Sequence, residues 1–166
     1  MPQTVRHPLA PLCDSRSRVL LLGTMPSPRS REQGFYYAHP QNRFWPIFGA
    51  LFGETVPESR EGRLAWLLGH RIALWDVLQS CEIEGADDGS IRSPVPNDIS
   101  QILRAAPIQK IFTTGSAAAR LYRKYCLPST GVSAFPLPST SPANCRFYTL
   151  ETLIEAYRPV LDALRE

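Results

Sequence analysis

Long hydrophobic runs are missing from this chain. Nowhere do apolar residues continue for the roughly 18 positions that a bilayer-crossing helix needs, and the first residues lack the basic-then-apolar pattern of a secretion signal. A soluble, cytoplasmic protein without a membrane partner is the expectation. Cysteine is sparse: Cys13, Cys81, Cys126 and Cys145 contain no C-x-x-C spacing. Neither a structural zinc site nor an iron–sulfur cluster therefore has its usual ligand pattern, although distant ligands can converge in space. The cysteines read as reduced thiols, with no metal and no cofactor expected. The G-x-G-x-x-G turn of dinucleotide-binding folds and the Walker phosphate loop are absent too. The nucleophile elbow G-x-S-x-G occurs at neither Ser27 nor Ser116, which argues against a serine hydrolase using His39. Charge is not strongly of one sign: a net +3 with a pI near 8.8 suits a polyanionic partner but does not require one.

What is present is enough for one core. With 166 residues, 43% of them hydrophobic, the chain has the length and composition of a single domain. Residues 1–16, with Pro2, Pro8 and Pro11 and no apolar periodicity, read as a loosely ordered lead-in, and residues 17–166 as the domain. Val19 to Leu22, closed by Gly23, is a short apolar run typical of a strand buried on both faces. Three further strands are expected at Ile72–Leu74, Ile111–Phe112 and Val132–Leu137. Helical spacing recurs between them: Leu64, Leu67 and Leu68 share a face, Ala117 to Tyr125 forms another helix, and a last one runs from Leu150 to Leu164. Asp98 and Gln101 have the spacing of a capping box, and Pro159 is placed to kink or divide the final helix. Buried strands alternating with helices predict an α/β fold, a three-layer αβα sandwich around a mainly parallel four-stranded sheet.

In such sheets ligands bind beyond the carboxyl ends of the strands. There the sequence places Gly23, Thr24, Met25, Pro26 and Ser27, then the aromatic stretch Tyr36-Tyr37-Ala38-His39-Pro40-Gln41-Asn42-Arg43-Phe44-Trp45. A connection of about twenty residues is long for a compact α/β unit and is more often functional than idle. Its aromatic faces suit a flat ligand, although paired aromatics in loops also build small satellite cores. After the last strand, Ser139, Thr140, Ser141, Pro142, Ala143 and Asn144 offer hydroxyls and amides without a carboxylate. That composition suits phosphate oxygens, or a turn feeding the last helix. Asp76, beyond the second strand, either lines a pocket or caps a helix.

These two loops resemble those of the uracil-DNA glycosylase superfamily. Ala38 to Trp45 is similar to the segment of mismatch-specific uracil glycosylases, while the Gly23-to-Ser27 start with the paired tyrosines resembles the hypoxanthine-DNA glycosylase branch. The resemblance spans residues 18–164 and implies a monofunctional, monomeric enzyme acting on double-stranded DNA that contains a deaminated base. Hypoxanthine is favoured and uracil is a second candidate. Met25 stands where mismatch-specific relatives carry a catalytic asparagine, and a thioether cannot orient water, so the resemblance moves that role to Asn42. Leu137, where many relatives have a polar residue, argues against ordinary uracil specificity.

The resemblance implies that Asn42 presents water, that Tyr37 stacks on the flipped base beside Phe44, and that amides of Thr24 to Ser27 read the base edge. His39 is a second candidate, as donor to a purine leaving group. Ser139 to Asn144 would grip phosphates, with Pro142 or Ala143 as the wedge. Two local alternatives stand beside this: Asn42 as a helix N-cap and His39 as the pin of a turn. With Met25 in place of an asparagine, a scaffold that binds damaged DNA without cutting it is the competing reading. No lysine lies in either loop, so strand cleavage through a Schiff base is not expected.

Overall fold

The computed structural model describes residues 2–85, 87–144 and 147–166, with only the main chain of residue 144. The chain opens with β1 (Gln3–Arg6), β2 (Val19–Gly23), α1 (Pro28–Gln33), α2 (Phe44–Phe52) and α3 (Arg60–Gly69). β3 (Ile72–Asp76), β4 (Leu78–Glu84), β5 (Asp87–Pro96), α4 (Ser100–Ala105) and β6 (Lys110–Thr114) follow. The remainder is α5 (Ser116–Leu121), a π-helical turn over Tyr122–Cys126, α6 (Leu127–Thr130), β7 (Ala134–Leu137) and α7 (Leu150–Leu164).

The four expected strands form one parallel sheet in the order β3-β2-β6-β7, in register at Leu20↔Ala73, Leu20↔Ile111 and Phe112↔Phe135. Every residue of β2 and β3 is buried, because helices cover both faces of this sheet and leave no side for water. The architecture is the expected three-layer α/β sandwich. On one side α2 packs against α7, with Phe48 edge-on to Tyr157 at 5.9 Å between ring centres.

A second sheet was not expected. β1, β4 and β5 form an antiparallel unit in the order β1-β4-β5. β4 alternates, burying Leu78, Cys81 and Ile83 while Gln79, Glu82 and Glu84 face out, and β5 is largely exposed. Pro94 and Pro96 fit there because β5 is an edge strand, where a missing N–H breaks no ladder.

The amino-terminal segment is tied down at several points, which corrects its reading as a loose lead-in. Besides β1, Leu12 and Leu74 exchange N–H···O bonds of 2.9 Å each, covering the outer edge of β3. Proline content hid this, because an edge cover needs few ladder bonds.

Three local expectations change. The helix after β6 widens into a π turn before α6, where Pro128 has no N–H to give to the preceding turn. Val132 stays outside β7, since its N–H donates to Thr130 Oγ1 (3.2 Å) and its carbonyl accepts from the Tyr122 hydroxyl. The capping box is not made: α4 has no side-chain cap, and the Asp98 carboxylate lies 3.3 Å from Arg104 Nη2. Pro159 does not divide α7, which runs through it and buries Leu153, Tyr157, Val160 and Leu164 on the core side.

Candidate active site

Three parallel strands end side by side, and their last residues, Gly23 of β2, Asp76 of β3 and Thr114 of β6, make the floor of a cavity of about 310 Å³. Gly23 is required by close approach: a Cβ there would lie 2.5 Å from Asp76 Oδ1. Asp76 therefore lines the pocket and caps no helix, because β4 follows almost at once.

The first motif loop forms one wall. Thr24, Met25, Pro26 and Ser27 line the cavity. Their carbonyls are engaged in part, with Gly23 O accepting from Val77 N (2.8 Å) and Thr24 O from Leu78 N (3.1 Å). The N–H groups of Met25 and Ser27 donate to no group among the described residues. The Ser27 hydroxyl accepts from Ser30 N (3.2 Å), capping α1.

Tyr37, His39 and Asn42 also line the cavity. Tyr37 holds a left-handed backbone (φ 52°), a strained setting for a bulky residue that a built site commonly retains. Its ring stacks on Phe44 at 4.0 Å with 3° between planes. Phe44, expected in the pocket, is fully buried behind Tyr37; it opens α2, and the stripe facing the core takes it inward. Tyr36 and Trp45 are core residues too, with Tyr36 Oη donating to Ala10 O (2.8 Å) and Trp45 Nε1 to Tyr37 O (3.2 Å). The aromatic stretch thus divides into a wall and its backing.

Both local alternatives are visible in the hydrogen bonding. His39 Nδ1 accepts from Gln41 N (3.1 Å), which pins the turn and leaves the ring proton on Nε2. Asn42 Oδ1 accepts from Phe44 N (2.9 Å) at the start of α2. A carboxamide oxygen has two lone pairs, so this bond fixes the side chain while leaving acceptor capacity.

Ser139 to Ala143 form the opposite wall. The hydroxyls of Ser139 and Ser141 accept from Ser141 N (3.1 Å) and Ala143 N (3.3 Å), as in a serine-built turn. Thr140 is only 2% exposed, so its side chain is not offered to a surface phosphate as expected. The side chain of Asn144 and all of Cys145 lie outside the described residues. Arg43 joins the two walls: its N–H donates to Thr140 O (3.1 Å), Nη1 to Tyr148 O (2.6 Å) and Nη2 to Ser141 O (3.4 Å).

The second sheet supplies what sequence reasoning missed. Ile83, Gly85 and Asp88 of the β4–β5 hairpin line the cavity. From the end of β1, His7 reaches the floor, its Nε2 2.7 Å from Asp76 Oδ2 with both side chains almost wholly buried. Burial and the charge of Asp76 push the Tyr36 and Tyr37 hydroxyls above the ordinary phenol range, keeping both protonated. Burial, and then the negative charges of Asp76 and Asp87, raise the Asp88 carboxyl. Nothing in the spacing around His7 signals its role; only the fold brings it 69 residues along the chain to Asp76. Among the described residues no cluster of histidine, cysteine and carboxylates is placed to hold a metal, and no helix is long and apolar enough to cross a membrane.

A parallel α/β sheet with a base-sized cleft between a strand-one loop and a last-strand loop defines a class, and comparison with known proteins agrees with it. The family described as the Uracil DNA glycosylase superfamily matches residues 10–162, and the chain belongs to that superfamily. Within it, the chain is 33% identical over 135 residues to a hypoxanthine DNA glycosylase of Methanosarcina acetivorans, covering 81% of this chain and 85% of that protein. A hypoxanthine DNA glycosylase of Methanosarcina barkeri is 31% identical over 137 residues, covering 82% and 86%. The solution structure of a proposed uracil DNA glycosylase from Methanosarcina acetivorans superimposes with a TM-score of 0.84 at 30% identity, covering 99% of this chain and all of that one.

Proposed function

We propose that this DNA glycosylase excises hypoxanthine from double-stranded DNA, as a cytoplasmic monomer, leaving an abasic site. The observation that carries the reading is the convergence of Tyr37, Asn42 and the 139–143 loop on one cavity at the carboxyl edge of the sheet. The names of the two Methanosarcina relatives support hypoxanthine over uracil.

Cleavage of the glycosidic bond passes through an oxocarbenium-like sugar while negative charge gathers on the departing base. The everted base lies against Tyr37, whose ring is braced by Phe44. Asn42 holds the attacking water on its second lone pair, the first being taken by Phe44 N–H. The unengaged amides of Met25 and Ser27 receive the base carbonyl and its growing charge. His39, with its proton on Nε2, serves the purine leaving group from the rim. Met25 contributes only pocket wall. Ser139 and Ser141 and the loop amides meet phosphates flanking the lesion, and Pro142 or Ala143 fills the vacated stack. So small a wedge favours mispaired or damaged bases, which unstack at lower cost.

The test is release of free base from a duplex with one deoxyinosine, read beside gel-shift binding to the same duplex. Release with an abasic product is the expected result. Binding without release from hypoxanthine, uracil, xanthine or mismatched thymine would sink the enzymatic reading in favour of a damage-binding scaffold.

A further inference from the structure

Resting on the reading of the pocket as a base site, we infer that the His7–Asp76 pair reads the ring N–H of the flipped base, making Asp76 a specificity-determining residue and His7 its positioning residue. Asp76 ends β3 on the pocket floor, and its side chain is nearly as buried as that of His7. Leu9 N–H donates to His7 Nδ1 (3.2 Å), which assigns the ring proton to Nε2 and makes His7 the donor to Asp76 Oδ2. The carboxylate is thereby fixed in place, and Oδ1, toward Gly23, has no donor among the described residues.

An ionised carboxylate accepts hydrogen bonds and donates none. Deamination of adenine replaces an amino group by a carbonyl and turns N1 from a lone pair into an N–H. Asp76 Oδ1 together with the Met25 and Ser27 amides presents an acceptor beside donors, the complement of N–H beside C=O. Adenine in the same pose sets its N1 lone pair against the carboxylate and its amino group against N–H donors. A site that loses a buried polar pairing discriminates far more strongly than one that differs by a methylene. Asp76 thus gives the pocket a physical reason to spare the undamaged purine, and β1 exists in part to hold it.

Single-turnover excision from matched duplexes carrying hypoxanthine, 1-methylhypoxanthine or adenine tests this, with an abasic duplex to measure DNA affinity. The wild-type enzyme should cut hypoxanthine at least about a hundredfold faster than either other base, as expected for loss of a hydrogen bond to a charged group. In Asp76→Ala the hypoxanthine rate should fall about thirtyfold or more, and the preference over 1-methylhypoxanthine should collapse to about threefold or less with abasic-duplex affinity kept. Asp76→Asn, which can turn an N–H toward N1 of adenine, should narrow the hypoxanthine-to-adenine ratio. His7→Ala should lower that ratio about tenfold, and His7→Gln, which can still donate to Asp76, should restore most of it. Wild-type enzyme that cuts the methylated base as fast as hypoxanthine, or Asp76 variants that keep the wild-type ratios, would overturn the assignment. A wild-type protein that releases no base from any duplex overturns the glycosylase reading instead.

Discussion

The two sheets of this protein do different work. The parallel sheet is closed to solvent on both faces, and β2 and β3 are buried throughout. The antiparallel sheet is thin, with β1 and β5 mostly exposed and only alternate residues of β4 buried. Yet both reach the cavity: the first gives Gly23, Asp76 and Thr114 and launches the motif loops, while the second gives His7, Ile83 and Asp88. The difference suggests a division between chemistry set on a rigid floor and selection by a lighter side wall, and it can be broken at several points.

The largest effect belongs to the floor's own loop. Asn42→Ala is expected to slow single-turnover excision by about 10²–10³-fold, the usual cost of removing a preorganised polar group at a reacting centre. Asn42→Ser separates chemistry from capping, because serine can still accept Phe44 N–H at the start of α2. Its melting temperature should match that of the wild type while its excision rate falls nearly as far as the alanine variant's. A serine variant with full activity would assign Asn42 to the cap alone.

Stability should follow the same division on a smaller scale. Leu21, fully buried in the middle of β2, is packed from both layers, and Leu21→Ala is expected to cost about 3–5 kcal/mol in urea unfolding. Ile83→Ala, in a sheet open to solvent on one side, should cost about 2 kcal/mol because the thin wall can relax into the gap. It should leave the hypoxanthine rate within about threefold, since an apolar side-wall contact is worth little in the transition state. Equal losses in both experiments would mean that the second sheet is as much a part of the core as the first.

The same division decided what could be read from the sequence. Val19–Gly23 and Ile111–Phe112 are short apolar runs that have no stable place except a doubly covered strand, so the parallel sheet and the carboxyl-edge location of the site followed from them. Tyr37, His39, Asn42 and Ser139 to Ala143 came to the same cavity because the loops that carry them leave those strands. β5, with Asp87, Asp88, Gly89 and two prolines, has the composition of a loop and is a strand only because β4 offers it an edge. His7 and Arg43 act through partners 69 and 105 residues away, a relation that no local pattern encodes. Phe44 was misplaced for a related reason: periodicity says which residues share a face, not which of two stacked rings is in front.

The smallest effect should come from the hairpin carboxylate. Asp88 stands on the side wall, and burial together with the charges of Asp76 and Asp87 raises its carboxyl above the usual aspartate value of 3.8. A carboxyl with a raised value in the folded state holds its proton more tightly there than in the unfolded chain. Its contribution is therefore fully present below the unfolded value and is lost as pH climbs through the folded one. Asp88→Asn, neutral at every pH, should melt like the wild type near pH 3 and slightly higher at neutral pH. Because the residue is exposed at the hairpin, solvent screens the repulsion and the gain should be small. Added salt should shrink it further. A variant that melts lower at neutral pH would instead show that the carboxylate is held by a favourable contact, and the side wall would then be fastened to the floor more firmly than its exposure implies.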